Sequence, residues 1–352
     1  MKYCTKCLMP ETRPRITFNE KGVCNACQHA EAKGASIDWN ARWSSLEALC
    51  ERFRGKGYWD VLVPCSGGKD GSYVAWKLKH DLGMNPLCVT LIPQLQTEIG
   101  KQNLENFKNS GFDHITVSPN PEVYRKLAIK GLKEQGRPKM PFVIGITTTT
   151  LQIAKNFNIP FVVYGEEGEK EYGGADVKAD KISRDYLMDY YYSGEYPEEM
   201  KDLKWWTLPD LEGLYPIHWS NFEYWDPIEH KELAIEKCGL QTIDKSIGTF
   251  TNYAQLDDIL QDLHAYFMFL KFGFGRATSD SSIEIREGRM EREIGLTFVK
   301  KYDGAFPTKY LDNYLEYFDL TEEEFWGIID KFANKDILKK VNNHWTLINE
   351  AH

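Results

Sequence analysis

A short apolar run, Val61-Leu62-Val63, leads through Pro64-Cys65 into Ser66-Gly67-Gly68-Lys69-Asp70-Gly71-Ser72 and then into the helix-compatible Tyr73-Val74-Ala75-Trp76-Lys77-Leu78. No other stretch constrains the chain as strongly. A buried strand, a glycine turn and a helix start together aim free backbone N–H groups and a helix dipole at an anion. Gly67 and Gly68 lack a Cβ, so the backbone can take positive φ and approach a phosphate closely. Ser66 and Ser72 add hydroxyl donors, Lys69 adds a positive charge, and Asp70 can hold Mg²⁺ or cap the helix. The order is neither the G-x-x-x-x-G-K-[ST] of a Walker loop nor the G-x-G-x-x-G of a dinucleotide fold.

The segment Ser66 to Ser72 resembles the PP-loop of ATP pyrophosphatases, usually S-G-G-x-D-S-[ST]. That resemblance implies cleavage of ATP between the α and β phosphates and adenylation of a substrate oxygen. Gly71 stands where serine is common, at the cost of one hydroxyl. The bland alternative is a glycine-rich turn carrying incidental polar residues, which the strand and helix on either side argue against.

A chain of 352 residues can bury a large core and accommodates one main domain with one or two smaller ones. It has no apolar run of the roughly 18 residues that would span a bilayer. The segment Met1 to Cys7 lacks the apolar centre of a secretory signal, so a cytoplasmic protein with no membrane partner is expected. The net charge of −9 disfavours broad binding to nucleic acid but leaves room for a local basic pocket.

Cys4-x2-Cys7 and Cys24-x2-Cys27 fit a two-knuckle zinc pattern. Two thiolate pairs complete a tetrahedron with no place for water, so structural Zn²⁺ is expected. Disulfides and an iron–sulfur site are the competing readings, and a cytoplasmic setting disfavours the first. Cys50, Cys65, Cys88 and Cys238 read as buried small hydrophobes, with Cys65 conspicuous beside the loop.

Beyond the loop, strands near 87–91, 115–117 and 161–164 alternate with helices near 98–110, 121–131 and 144–158. The alternation predicts an α/β fold with a doubly wound parallel sheet, preceded by the zinc knuckle and followed by a helical C-terminal region. Residues 1–36 are expected to form the knuckle, 37–180 the nucleotide domain, and 181–352 an aromatic-rich and helical substrate or lid region. Ligands bind at the carboxyl ends of such strands. That rule puts the loop, Thr90 and Gly165-Glu166 on one rim, with adenine expected near Thr90, Gly145 and Gly165. Glu166 is the candidate Mg²⁺ contact there, while Glu167, Glu169 and Glu171 read as a solvated charged loop.

From about 180 the aromatics Tyr190 to Tyr192, Trp205-Trp206, Trp219, Phe222 and Tyr224-Trp225 read as core within long loops and short helices. Leu256 to Leu270 has helical periodicity, on which His264 reads as a satisfied structural histidine. In Lys271-Phe272-Gly273-Phe274-Gly275-Arg276-Ala277-Thr278-Ser279-Asp280, two glycines break the helix and Ser279 or Asp280 can cap a new one. A corner carrying Lys271 and Arg276 into a helix N-terminus could receive phosphates or a sugar carboxylate, or be simply a corner with surface cations. Arg286, Arg289 and Arg292 read as a solvated face, and Thr321-x2-Glu324 as a capping box in a helical tail.

Three stretches jointly resemble the N-acetyl sugar amidotransferases of surface-polysaccharide biosynthesis. They are Tyr3-Cys4-x2-Cys7-Leu8-Met9-Pro10-x2-Arg13-Pro14 with its second cysteine pair, the loop Ser66 to Ser72 with Gly71 included, and Lys271 to Asp280. Glu171-Tyr172-Gly173-Gly174 is similar to the family's segment after the fourth strand, whereas the acidic Glu166-Glu167-Gly168-Glu169 departs from it. The resemblance covers most of the chain. It implies the adenine nucleotide alpha hydrolase-like PP-loop fold, and an enzyme that turns the N-acetyl group of a nucleotide-activated sugar into an acetamidino group, using ATP and Mg²⁺. Lys69, Asp70, Glu166 and Arg276 become the candidates for charge neutralisation and metal contact, with Tyr172, Gly173, Gly174, Lys271, Ser279 and Asp280 as further substrate contacts. The chain shows no glutaminase nucleophile, so a separate glutaminase partner is expected to deliver ammonia; the resemblance implies that this is a pair of glutaminase and cyclase-like subunits. The rival readings are a tRNA-modifying PP-loop enzyme and a non-catalytic zinc- and nucleotide-binding scaffold.

Overall fold

The computed structural model describes residues 1–174, 180–192, 198–201 and 203–349. The expected boundary at 180 follows directly on 175–179, which lie outside the described residues. The chain opens with turns around the four paired cysteines, then α1 (Asn25–Ala35) and α2 (Trp39–Phe53). Alternation follows: β1 (Val61–Pro64), α3 (Lys69–His80), β2 (Pro86–Leu91), α4 (Glu98–Lys108), β3 (Asp113–Val117), α5 (Pro121–Lys130), α6 (Met140–Asn156) and β4 (Phe161–Tyr164). Local signals start these helices. Asp38 accepts from Ala41 N, Thr97 from Gly100 N, and Asn120 from Glu122 N and Val123 N, with Pro121 in the first turn.

Next come α7 (Gly168–Tyr172), α8 (Arg184–Tyr192), β5 (Tyr215–His218) and α9 (Pro227–Cys238). The C-terminal part adds α10 (Leu260–Phe272), α11 (Arg276–Arg286), α12 (Arg292–Tyr302), α13 (Leu311–Phe318), α14 (Glu322–Phe332), β6 (Leu338–Val341) and β7 (His344–Leu347).

Five strands form one parallel sheet in the order β3-β2-β1-β4-β5. Side chains of β1 alternate between two cores: Val61 and Val63 pack with Tyr73, Val74 and Leu78 of α3, while Leu62 packs with Leu151 and Ala154 of α6. Helices therefore cover both faces, as a parallel sheet requires. The chain winds from β1 outward to β3, then returns to the other side of β1. That reversal leaves a crevice beyond the carboxyl ends of β1 and β4.

Three details differ from expectation. Helix α6 starts at Met140 rather than near 144. Strand β5 lies within the aromatic stretch read as loops and short helices, and pairs with β4 from Phe161↔Tyr215 to Tyr164↔His218. Pro216 is tolerated because β5 is the edge of the sheet. The tail is not wholly helical: β6 and β7 form an antiparallel hairpin, turned by Asn342 and Asn343 at φ 49° and 65°. The capping box is present, with Thr321 and Glu324 bonding each other's backbone N–H.

The knuckle is welded to the rest of the molecule. Its small core of Cys4, Cys7, Met9, Cys24 and Cys27 includes Phe274 from the α10–α11 corner. Leu8 N donates to Ser282 Oγ (3.2 Å) and Thr12 Oγ1 to Phe272 O (2.5 Å). Among the described residues no helix is long and apolar enough to cross a membrane.

Candidate active site

The loop between β1 and α3 turns through Gly67 at φ 82°, a conformation that favours glycine. A side chain there would strike the Asn103 carbonyl on α4. Gly71, in the first turn of α3, comes so close to the end of β1 that a Cβ would lie 2.8 Å from both Pro64 O and Cys65 Cα. Serine at that position, common in the wider loop pattern, has no room in this chain.

Two adjoining cavities meet at this loop. One, of about 290 Å³, is lined by Ser66 to Asp70 together with Glu166, Tyr172, Tyr253 and Arg276. It therefore collects all four residues expected to carry charge: Lys69, Asp70, Glu166 and Arg276. The other, of about 430 Å³, lies over the strand ends and is lined by Ser66, Asp70, Gly71, Thr90, Gly165 and Glu166 among mainly apolar side chains such as Leu91, Phe142 and Ile146. Ser66, Asp70 and Glu166 belong to both walls. A polar chamber beside a more apolar one suits a ligand with phosphates at one end and a flat base at the other.

Asp70 pairs with Lys69 Nζ through one oxygen and with His230 Nδ1 (3.1 Å) through the other. Burial works against its ionisation, but Lys69 and His230 outweigh it and hold the carboxyl well below the usual range. Glu166 behaves oppositely. Burial, then the Asp70 carboxylate, push it up to about 7, against the pull of Lys69 and Arg276. Its carboxylate accepts from Tyr172 Oη (3.2 Å). Two carboxylates that share a chamber and repel each other supply hard oxygen donors suited to a divalent cation such as Mg²⁺. Arg276 pairs with Asp280 at 2.8 Å; burial opposes its charge, and Asp280 restores it.

Several expected contacts lie elsewhere. Ser72 is fully buried, its hydroxyl 3.8 Å from Cys65 Sγ, and lines neither cavity. Gly145 is also outside, packed where a side chain would strike Leu91 and Trp206. Thr90 reaches the strand-end wall, but its hydroxyl is occupied by Cys65 O and His114 Nε2 (2.7 Å). Gly173 O and Gly174 O accept from Arg13 Nε (2.6 Å) and Asn25 Nδ2 (2.7 Å), so both glycines serve the knuckle interface. Ser279 and Asp280 do not cap α11, which starts at Arg276. Asp303 caps it instead, accepting from Gly275 N (2.8 Å), Ala277 N (2.9 Å) and Thr278 Oγ1 (2.6 Å). The helix end proposed for phosphates is thus filled by the protein's own carboxylate. Lys271 turns away from Arg276 into a separate cavity.

The acidic segment after β4 is not a solvated loop. Glu167 is 1% exposed beside His218 Nδ1 (2.9 Å), and Glu169 is 5% exposed against Arg15 (2.5 Å). Glu171 meets the buried Lys33 at 3.2 Å. Glu167 and Glu169 are buried, and Glu171 largely so, because a cation or histidine meets each acid. Arg286 and Arg292 likewise leave the solvated face expected of them, donating to Glu171 O (2.8 Å) and Cys7 O (3.2 Å). His264 is not satisfied as expected: its Nδ1 is buried without a partner among the described residues.

The sequence does not single out His230, Tyr253 or Lys139. His230 is fully buried between Tyr73 and Trp225, each centroid 4.1 Å away. Tyr253 lies under Lys69 Nζ at 5.9 Å, and Lys139 reaches the loop-side cavity from the start of α6. All three are far from the loop in sequence and form no motif with it. Lys139 stands just before the apolar run of α6, a weak signal of a helix end.

The four knuckle thiols converge, with Sγ atoms within 4.8 Å of one another, 3.8 Å for Cys4–Cys27 and 3.7 Å for Cys7–Cys24. They can hold a metal ion. Burial pushes the Cys65 thiol up to about 12, so no reactive thiolate stands at the loop.

Residues 247–352 match the family model of the C-terminal domain of WbpG-like LPS biosynthesis proteins. No curated protein matches the chain. Among solved structures, the chain is similar to a predicted subunit of a tRNA methyltransferase from Methanocaldococcus jannaschii, at 19% identity over 59% of this chain and 86% of that one, TM-score 0.32. It is also similar to the U34-tRNA thiolase NcsA from Methanococcus maripaludis with its [4Fe-4S] cluster, at 12% identity over 94% and 87%, TM-score 0.35. A third is the NMN synthetase from Francisella tularensis, at 16% identity over 56% and 85%, TM-score 0.30.

Proposed function

We propose that this chain, a PP-loop fold whose C-terminal third matches a WbpG-like LPS biosynthesis domain, is an ATP-dependent, AMP-forming amidotransferase acting on the N-acetyl group of a nucleotide-activated sugar. The observation that carries the reading is the meeting of Lys69, Asp70, Glu166 and Arg276 around the glycine loop at the sheet's switch point.

An amide is a poor electrophile because its oxygen cannot leave. In the proposed reaction that oxygen attacks the α-phosphorus of ATP, pyrophosphate departs, and an O-adenylated imidate results. Ammonia attacks the imidate carbon, AMP leaves with the former amide oxygen, a proton is lost, and an amidine remains. The backbone N–H groups of the Gly67-Gly68 turn, with Lys69 and Arg276, face the charge that develops on the departing pyrophosphate. Asp70 and Glu166 would hold Mg²⁺, which supplies charge neutralisation on the phosphates. His230 fixes the Asp70 carboxylate, and the apolar strand-end chamber orients the adenine side of ATP. A partner glutaminase with a cyclase-like subunit would supply unprotonated ammonia, since free ammonia is mostly ammonium at neutral pH.

Zn²⁺ is the proposed knuckle metal. Zn–S bonds of about 2.3 Å set tetrahedral S···S edges at about 3.8 Å, which matches the Cys4–Cys27 and Cys7–Cys24 separations of 3.8 and 3.7 Å. A cubane would hold each thiolate on a separate iron and further apart.

The test is incubation with ATP, Mg²⁺, ammonium and a panel of nucleotide sugars, read by AMP release and by the mass change from carbonyl oxygen to NH. Lys69→Ala and Arg276→Ala should each lower AMP release at least about a hundredfold, the scale of losing one charge-stabilising donor. Release of ADP alone, or AMP formation that survives both substitutions, would overturn the reading.

A further inference from the structure

Behind the acidic segment lies a third cavity, of about 380 Å³, into which Arg13, Arg15, Arg137, His264 and Lys271 all project. The lining contains one carboxylate, Glu169, already engaged by Arg15 at 2.5 Å. Asp189 stands at the rim, 3.8 Å from Arg15. Among the described residues neither Arg137 nor Lys271 has a carboxylate partner. Lys271 Nζ donates to a backbone carbonyl, Gln135 O, at 3.2 Å.

Four cationic side chains and a histidine around one acid repel one another. The strain shows in the groups themselves. Burial, with Arg137 beside it, pulls Lys271 down to about 8; burial, then Lys271, Lys139 and Arg137, pull His264 down to about 3. Burial also lowers the proton affinity of Arg13 and Arg137. A multiply charged anion would remove that repulsion and satisfy the donors together.

The cavity is also in the right place. Val143 and Tyr190 belong both to its wall and to the wall of the strand-end cavity, so the two chambers adjoin. Arg13 lies over the Tyr172 ring at 5.7 Å, and that ring closes the loop-side cavity. Tyr190, stacked on Arg15 at 4.8 Å, offers a partly open aromatic face.

We propose that this basic cavity binds the diphosphate of the nucleotide-activated substrate, separately from ATP, so that the attached sugar extends toward Glu166 and the glycine loop. The inference rests on the function proposed above but concerns a site apart from the loop. UDP is the probe, titrated calorimetrically into the full-length protein saturated with α,β-methylene ATP, with CMP, pyrophosphate and inorganic phosphate as parallel arms. Arg137→Gln and Lys271→Gln should each weaken UDP binding about tenfold or more, the scale of one charge-assisted contact, while affinity for the ATP analogue stays unchanged. Arg137→Lys should recover part of the loss, and unchanged melting temperatures exclude misfolding. UDP affinity within twofold of wild type in both glutamine variants would overturn the proposal, as would absence of UDP binding to the wild type. CMP or phosphate binding as tightly as UDP would overturn the assignment to a diphosphate. Amidine formation separates the two readings. If it occurs while the variants bind UDP normally, only the cavity assignment fails; if it never occurs while the variants lose UDP, only the reaction fails.

Discussion

Asp70 and Glu166 are neighbours in one chamber yet are driven in opposite directions, and the cause is who stands beside each. Asp70 has Lys69 and His230 within contact, whereas Glu166 is half-buried with a tyrosine hydroxyl and the Asp70 charge in view. The lysine and aspartate are legible in the loop motif, but the histidine arrives from α9 through folding alone. Gly71 gives the sharpest residue-level test. Replacing a helical glycine by alanine ordinarily gains about 1 kcal/mol in propensity. Here the new Cβ would meet backbone atoms at 2.8 Å, which cannot move as a flexible side chain could. Overpacking of this kind costs about 1–3 kcal/mol, so the clash wins. Gly71→Ala is expected to lower the urea midpoint and to displace the loop, with AMP formation falling further than stability does. A variant as stable and active as wild type would show that the loop does not press on β1.

At the level of elements, the corner between α10 and α11 shows how a correct motif can be misread. The glycine break in Lys271 to Asp280 is visible in the sequence, and Gly273 does end α10, at φ 74°. The cap of α11, however, comes from Asp303 on the far side of α12, which no local pattern announces. Asp303→Ala should cost about 1–3 kcal/mol, combining a lost cap with buried donors left unpaired. Asp303→Asn, which keeps an acceptor, should recover most of it; chemical denaturation of the two variants checks this. The larger loss expected is in activity, since α11 begins with Arg276. The same division runs through the fold. Strands β1 to β4 and the helices between them are legible because their periodicities are local and their caps are coded within a few residues. Edge strand β5 is four residues with a proline, and the β6–β7 hairpin is short and mostly polar, so neither has a periodicity to read. The acidic run after β4 misleads for a related reason: its partners Lys33, His218 and Arg15 come from three distant parts of the chain.

For the whole molecule, the knuckle is best understood as a clamp between two segments that close the chambers of the candidate site. Its residues grip the stretch after β4 through Arg13 to Gly173 O, Asn25 to Gly174 O and Arg15 to Glu169. They grip the α10–α11 corner through Thr12 to Phe272 O and Leu8 N to Ser282. The first segment carries Glu166 and Tyr172, the second Arg276, so both walls of the loop-side cavity lean on the same four thiols. The knuckle has little core of its own, and with the proposed Zn²⁺ on its four thiols the folding energy would come chiefly from that metal. Stripping that metal with a chelator, or replacing Cys4 and Cys24 by serine, is therefore expected to abolish amidine formation although no knuckle thiol lines either chamber. Hydrogen exchange should show the origin of the loss: protection falls at 168–174 and 271–282, while β1 and β2, anchored in the two sheet cores, keep theirs. Elemental analysis should return one zinc per chain, released in step with activity. If exchange at both segments is unchanged after the metal is gone, the clamp is ornamental and the chambers stand on the sheet alone. If instead the central strands open together with the segments, the metal holds the entire fold and not a local contact.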